Sequence, residues 1–165
     1  MLSGDWVAGF CDGEAWFSIQ IASSNTRLGF GAAPIFRIEV AKADESILHS
    51  IRDALGVGRV IEHKGHRWGN NRYEVCSLPE CLKIRDFFLA HPLHTKKRLA
   101  FKVWAKALDL ISSKRHLNKE GFLELAKLRD KINPGNKRQW IGKSAYRDYN
   151  YFKQLFDNGT IQLTL

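Results

Sequence analysis

No run of about eighteen apolar residues occurs anywhere in the chain, so no segment reads as a membrane-spanning helix. The N-terminus lacks the basic flank, the long apolar segment and the small-residue cleavage site of a secretory signal. A soluble, intracellular protein without a membrane partner is the expectation. Cysteine is scarce: Cys11, Cys76 and Cys81 are odd in number and lack CxxC spacing, which leaves packing as their reading rather than a structural zinc site. No trio among His49, His63, His66, His91, His94 and His116 has recognisable zinc-ligand spacing either. Acids are the minority charge, 17 Asp and Glu against 26 Lys and Arg, and the formal net charge of +9 favours a polyanionic partner such as nucleic acid. The imbalance is local as well. Between Ala90 and Lys119 there are eight Lys or Arg residues and one acid, Asp109.

What is present is enough for a core. A chain of 165 residues with 44% hydrophobic content and no internal repeat reads as one domain, residues 1–165, with 134–165 as an aromatic-rich extension packed on it. Residues 5 to about 13 suit a short helix with Ser3 or Asp5 as cap and a close-packing face of Trp6, Gly9, Phe10 and Gly13. "WFSIQIA" alternates, with Phe17, Ile19 and Ile21 on one face. "SSNTRLGFGAA" reads as a loop, and "PIFRIEVA" as a second strand with Phe36, Ile38 and Val40 sharing a face. "DESILHSIRDALG" places Ile47, Leu48, Ile51 and Leu55 on one helical side and stops at Gly56. "RVIEH" and "RYEVCS" are two more short strands around the turn "HRWGNN". Pro79 opens a helix to about Leu89, and further helices span about Lys96 to Ile111 and Lys119 to Ile132. The order αββαββα, followed by C-terminal helices, is a mixed α+β arrangement. Two hairpins form a four-stranded antiparallel sheet with the helices on one face, leaving the other face open.

That open face carries Ser18 and Gln20, Arg37 and Glu39, then Arg59, His63, Arg72 and Glu74. Such a ribbon can enter a major groove and offer these side chains to base edges; a solvated sheet face is the competing reading. The stretch "WVAGFCDGEAWF" raises a sharper question. Asp12 and Glu14 fall where the first helix gives way to the first strand, and Gly13 allows the chain to turn and present Glu14 at the tip. Burying a carboxylate there without a cation or donors is costly. From spacing alone, Asp12 reads as a cap or turn acceptor and Glu14 as an ordinary junction residue.

Ala8, Gly9, Phe10, Asp12, Gly13 and Glu14 in "VAGFCDGEA" resemble the signature of the LAGLIDADG homing endonucleases. "LGVGRV" at 55–60, "PLHTKKRLAFKVW" at 92–104 and "KRHLNKEGFLELAKLRDKIN" at 114–133 extend the resemblance over most of the chain. It implies a saddle-shaped domain whose signature helix packs against its equivalent. With one signature visible, it implies a homodimer meeting through Trp6, Ala8, Gly9, Asp12 and Gly13, on a long, partly palindromic double-stranded DNA target.

The activity implied is metal-dependent phosphodiester hydrolysis giving a double-strand break with short 3′ overhangs. Glu14 maps to the metal ligand, with Mg2+, or Mn2+ in its place, as cofactor, and Asp12 to a stabiliser of the helix ends. A lysine before the long helix maps to Lys96, with Lys97 as nearest rival. Lys102, Lys106, Lys114 and Arg115 are basic positions for backbone contact. Three departures stand out: Ala15 for a frequent glycine, Val40 for a glutamine late in the second strand, and Asp44 for a basic residue. Family members also assist splicing, so an intron-RNA-binding splicing cofactor is the alternative reading.

Overall fold

The computed structural model describes residues 2–62, 70–134 and 147–158; His63, His66 and most of "HRWGNN" lie outside them. The elements follow the expected order: α1 (Gly4–Glu14), β1 (Ala15–Ser23), β2 (Phe30–Ala41), α2 (Glu45–Leu55), β3 (Arg59–Ile61), β4 (Asn70–Val75), α3 (Leu78–Ala90), α4 (Lys97–Ser112), α5 (Lys119–Ile132) and α6 (Tyr149–Asp157). The strands form a four-stranded antiparallel sheet in the order β1-β2-β4-β3, which puts the second hairpin's later strand beside β2. Among the described residues no helix is long and apolar enough to cross a membrane.

Local signals set most boundaries. Ser3 caps α1 by accepting from Trp6 N, Ser77 caps α3 one residue before its first turn, and Asn118 caps α5 by accepting from Gly121 N at 2.8 Å. Gly56 ends α2 in the left-handed region at φ 67°, which a side chain would resist. Two expectations are corrected. Gly13 does not turn the chain: α1 continues helically through Glu14, and the change to extended backbone falls at Ala15, with ψ 153°. "FGAA" is not loop but the start of β2. The reversal is confined to residues 24–29, where Gly29 at φ 72° donates to Thr26 O and accepts from Ser24 N. Phe30 is held by its ring contacts with Phe122 and Phe152, so tertiary packing extends a strand whose glycine and alanines carry little propensity of their own.

The described chain groups into two compact units, residues 1–17 with 34–99 and residues 18–33 with 100–165. In the first, Phe17, Phe36, Tyr73 and Phe88 make a cluster of ring contacts, and Val7, Cys11, Leu48, Ile51, Cys81 and Ile84 complete the buried interior. Tyr73 Oη, buried, donates to Val57 O at 2.7 Å, so its one polar atom is satisfied. In the second, Leu28, Phe122, Ala126 and Phe152 form the core, with Phe30, Leu123, Tyr149 and Phe156 around it. Trp104 is fully buried there and donates through Nε1 to Ser18 O.

Register fixes the two faces of the first unit's strands. Phe36 pairs with Val75 and Ile38 with Tyr73, while Arg37 pairs with Glu74 and Glu39 with Arg72; Arg59 faces Glu74 from β3. Because side chains alternate, the apolar set enters the core and the charged set shares the opposite face. The period-two reading holds for Phe36, Ile38, Tyr73 and Val75 against Arg37, Glu39 and Arg72, whereas Ile35 and Glu74 are buried on the other parity and Val40 is only half-buried.

Candidate functional site

Helix α1 ends with two acids and no basic residue in its last turn. Negative charge at a helix C-terminus opposes the backbone dipole, so such acids need a counter-charge or donors from outside the helix. Both come from the segment that leads into α4. Lys97 Nζ donates to Gly13 O at 2.7 Å, placing an ammonium on the exposed carbonyls of α1 beside Glu14. Burial pushes the Lys97 ammonium below its ordinary range, while the negative charges of Glu14 and Asp12 pull it back. Lys96, the residue favoured from sequence, is exposed and makes no such contact; the half-buried Lys97, at the first position of α4, makes it.

Asp12 faces the same segment. Its carboxylate accepts from His94 N at 2.7 Å, from Thr95 N at 2.9 Å and from Thr95 Oγ1 at 2.7 Å, and Thr95 Oγ1 also reaches Asp12 O. Partial burial raises its pKa, but the bonds from Thr95 and His94 outweigh that and hold the carboxyl below its ordinary value. Asp12 is thus a clamp within the chain. The sequence signal that identifies its partners is only the short "HT" before a lysine pair, and their backbone N–H groups leave no signature at all.

Glu14 is exposed, and among the described residues its carboxylate accepts no hydrogen bond. It lines a groove of about 480 Å³ together with Trp6, Phe10, Glu39, Val40, Asp44 and Ile47. Val40 and Asp44, the two departures noted from sequence, therefore lie on the same groove as Glu14. An unpaired carboxylate oxygen is a hard donor suited to Mg2+ or Ca2+, and it leaves most of the coordination shell to other oxygens. Elsewhere Glu45, His49 and Glu62 bring ligand atoms within 4.8 Å of one another, but Glu45 is already engaged by Asn71 Nδ2 and His49 as an ordinary polar cluster.

The outward face of α1 is open. Gly9 and Gly13 are exposed with nothing among the described residues within 4 Å of an added Cβ, and Trp6, 44% exposed, stacks on Phe10 at 5.4 Å. Ala8, expected on this face, lies instead with Val7 and Cys11 on the buried side of the helix, because it is one residue and so a quarter turn away from Gly9. Burial raises the Cys11 thiol to about 12, in keeping with a packing role.

On the charged sheet face, Arg37, Arg59 and Arg72 converge on Glu74, which is 6% exposed. Arg37 also lies over the Trp16 ring, a contact the alternation pattern did not reveal. Glu39, at 3.6 Å from Arg37, is exposed. In the other unit Gln20 is exposed and Ser18 half-buried. Lys102 and Lys106 are exposed one turn apart on α4, Lys114 is exposed at φ 59°, and Arg115 pairs with Glu124 at 3.0 Å.

A family model described as LAGLIDADG endonuclease matches residues 7–108. The chain is similar to an uncharacterized 50.9 kDa protein in ND4 intron 1 of Podospora anserina, with 32% identity over 69% of this chain and 25% of that protein. It spans about a quarter of the length of the curated relatives it matches first. Among solved structures, the homing endonuclease I-TnaI superimposes with a TM-score of 0.78 at 26% identity, over 95% of this chain and 97% of that one. I-SmaMI, bound to an uncleaved DNA target in the presence of calcium ions, gives 0.77 at 26% identity, over 84% of this chain and 47% of that one.

Proposed function

The chain belongs to the LAGLIDADG endonuclease family, and on that premise we propose that it is a site-specific DNA endonuclease, acting as a homodimer on a long, partly palindromic duplex. The observation that carries this reading is the end of α1: a free Glu14 carboxylate, with the Lys97 ammonium fixed on the adjoining Gly13 carbonyl, at the tip of a helix whose glycine face is open. Two copies meeting through Trp6, Gly9 and Gly13 bring two Glu14 carboxylates together near one axis. The match to about half of the longer I-SmaMI chain fits a unit that requires a second of its kind.

In this reading Glu14 is the protein's oxygen ligand for Mg2+, with Mn2+ as substitute. The bound cation supplies Lewis-acid stabilisation of the transferring phosphoryl group and of the leaving oxygen. Lys97 keeps one N–H on Gly13 O and turns its remaining donors to the scissile phosphate or to the water beside it. Asp12 keeps Thr95 and His94 in place and thereby the start of α4. Arg37, Arg59 and Arg72 with Ser18, Gln20 and Glu39 face bases or phosphates, and Lys102, Lys106, Lys114 and Arg115 contact the backbone. Each strand is cut once, leaving short 3′ overhangs.

The test is selection from a randomised long duplex library with Mg2+, mapping both cut strands, for the native protein and Glu14→Gln. Paired cuts offset by a few nucleotides, abolished by Glu14→Gln with DNA binding retained, are expected. Parental cutting by Glu14→Gln would sink the reading. A second reading, an intron-RNA-binding splicing cofactor, is favoured by the exposed Lys102, Lys106 and Lys114 together with a relative described by its intron. Tight binding of intron RNA that survives Glu14→Gln distinguishes it.

A further inference from the structure

Arginines on neighbouring strands repel, and three of them on one small sheet face require an explanation. Here Arg37 and Arg59 stand directly opposite Glu74 in register, one on each side, and Arg72 lies two residues earlier on the same strand. Glu74 Oε2 accepts from Arg37 Nη2 at 2.5 Å and from Arg37 Nε at 3.1 Å, and Arg72 Nε is 3.8 Å away. Glu74 Oε1 accepts from Arg59 Nη2 at 3.4 Å. Arg37 is further held by the Trp16 ring at 5.4 Å.

Exposure divides the labour. The Glu74 side chain is 8% exposed, against 21% for Arg37, 31% for Arg72 and 66% for Arg59. The acid lies beneath the guanidinium groups, where it is poorly placed to meet a base edge. We propose that Glu74 is a positioning residue for sequence readout, holding Arg37, Arg59 and Arg72 as a fixed array that recognises guanines in the major groove. The inference rests on the DNA-endonuclease reading.

The physical reason is the difference between charge and geometry. A mobile arginine lowers the energy of any nearby phosphate, and that attraction is blind to sequence. Discrimination of guanine needs a guanidinium plane held in line with O6 and N7. An acid under the array removes one unit of net positive charge and restricts the planes, so it trades non-specific affinity for selectivity. Sequence alone placed Glu74 among the base-contacting positions; its burial and its partners reassign it to the support of those contacts.

Base preference is measured by selection from a randomised half-site library for the native chain, Glu74→Gln, Arg37→Ala, the double variant and Asp53→Asn. The last adds the same unit of charge on α2, away from the array. Glu74→Gln is expected to relax preference about tenfold at the same base pairs that Arg37→Ala relaxes, with little further loss in the double variant. The salt slope of non-specific binding steepens by about one for Glu74→Gln and changes little for Asp53→Asn, which also keeps the native preferences. A Glu74→Gln protein that melts like the parent and keeps its preferences overturns the inference alone. A native chain with no sequence preference overturns the endonuclease reading beneath it. Should Glu74→Gln not fold, NMR of the native protein decides: slow solvent exchange of Arg37 Nε–H relative to exposed Arg98 supports a held guanidinium, and equal exchange overturns it.

Discussion

Lys97 Nζ donates to the carbonyl oxygen of Gly13 at 2.7 Å, one residue before Glu14. An ammonium so placed neutralises the negative end of α1 and keeps its other donors beside the carboxylate. Lys97→Met is therefore expected to slow single-turnover strand cleavage by about 10²–10³-fold with little change in DNA affinity. Lys96→Met, at an exposed neighbour, is expected to stay within a few-fold of the parent. The comparison is decisive because the two lysines are adjacent in sequence and differ only in where α4 begins. Equal losses in the two variants would remove Lys97 from its role.

Asp12 links this site to acid stability. Its folded-state pKa is held below the ordinary 3.8 by the bonds from Thr95 and His94, acting against burial. A depressed carboxyl contributes stability that is complete above its unfolded value and is lost as pH falls through the folded one. Asp12→Ala should cost about 1–3 kcal/mol at neutral pH, and the difference from the parent should shrink below about pH 4. Thermal melts from pH 3 to 7 measure it. A constant difference across that range would mean that Asp12 acts through packing alone.

The same clamp explains what could be read from the sequence. Strand alternation gave the charged face of β2 and β4 correctly, because burial on one side of a sheet forces a period of two on every residue. The capping residues Ser3, Ser77 and Asn118 likewise signal locally. The start of β2 at Phe30 was hidden, since its extended form depends on Phe122 and Phe152, far along the chain. The different surroundings of Lys96 and Lys97 were hidden for a related reason: the hydrogen bond from Lys97 to Gly13 joins residues more than eighty positions apart. Glu74 is the clearest case. Alternation fixes its face, but only the three converging arginines reveal that its carboxylate is already engaged.

The open face of α1 predicts opposite effects on folding and association. Among the described residues nothing lies within 4 Å of a Cβ added at Gly9 or Gly13, so the side chains of Gly9→Leu and Gly13→Leu start into open space. Replacing a helical glycine by a good helix former should raise chain stability by about 0.5–1 kcal/mol. In a symmetric dimer each leucine enters the contact twice, at an overpacking cost of about 1–3 kcal/mol per site. Sedimentation should show weaker self-association, while thermal melts at concentrations where both proteins are monomeric show no loss. Undiminished self-association in both variants would mean that copies do not meet through this helix.

Val40 and Asp44 share the groove of Glu14, and neither offers a donor to a water beside it. Val40 carries only methyl groups, and an ionised Asp44 only accepts and adds negative charge near an anionic phosphate. Val40→Gln supplies an amide that can orient water, and it sits at the half-buried end of β2 where a longer side chain has room along the groove. Asp44→Lys supplies a cation at an exposed position with no cap bond to lose. The double variant is expected to cleave about tenfold faster than the parent under single turnover, less than the roughly 10²–10⁴-fold of a fully positioned proton transfer because it only orients water. Asp44→Lys alone should tighten DNA binding and steepen its salt slope by about two, since it replaces a negative charge by a positive one. An unchanged cleavage rate in a folded double variant would mean that water is positioned at Glu14 by other groups of the complex, and that the two departures carry no catalytic cost.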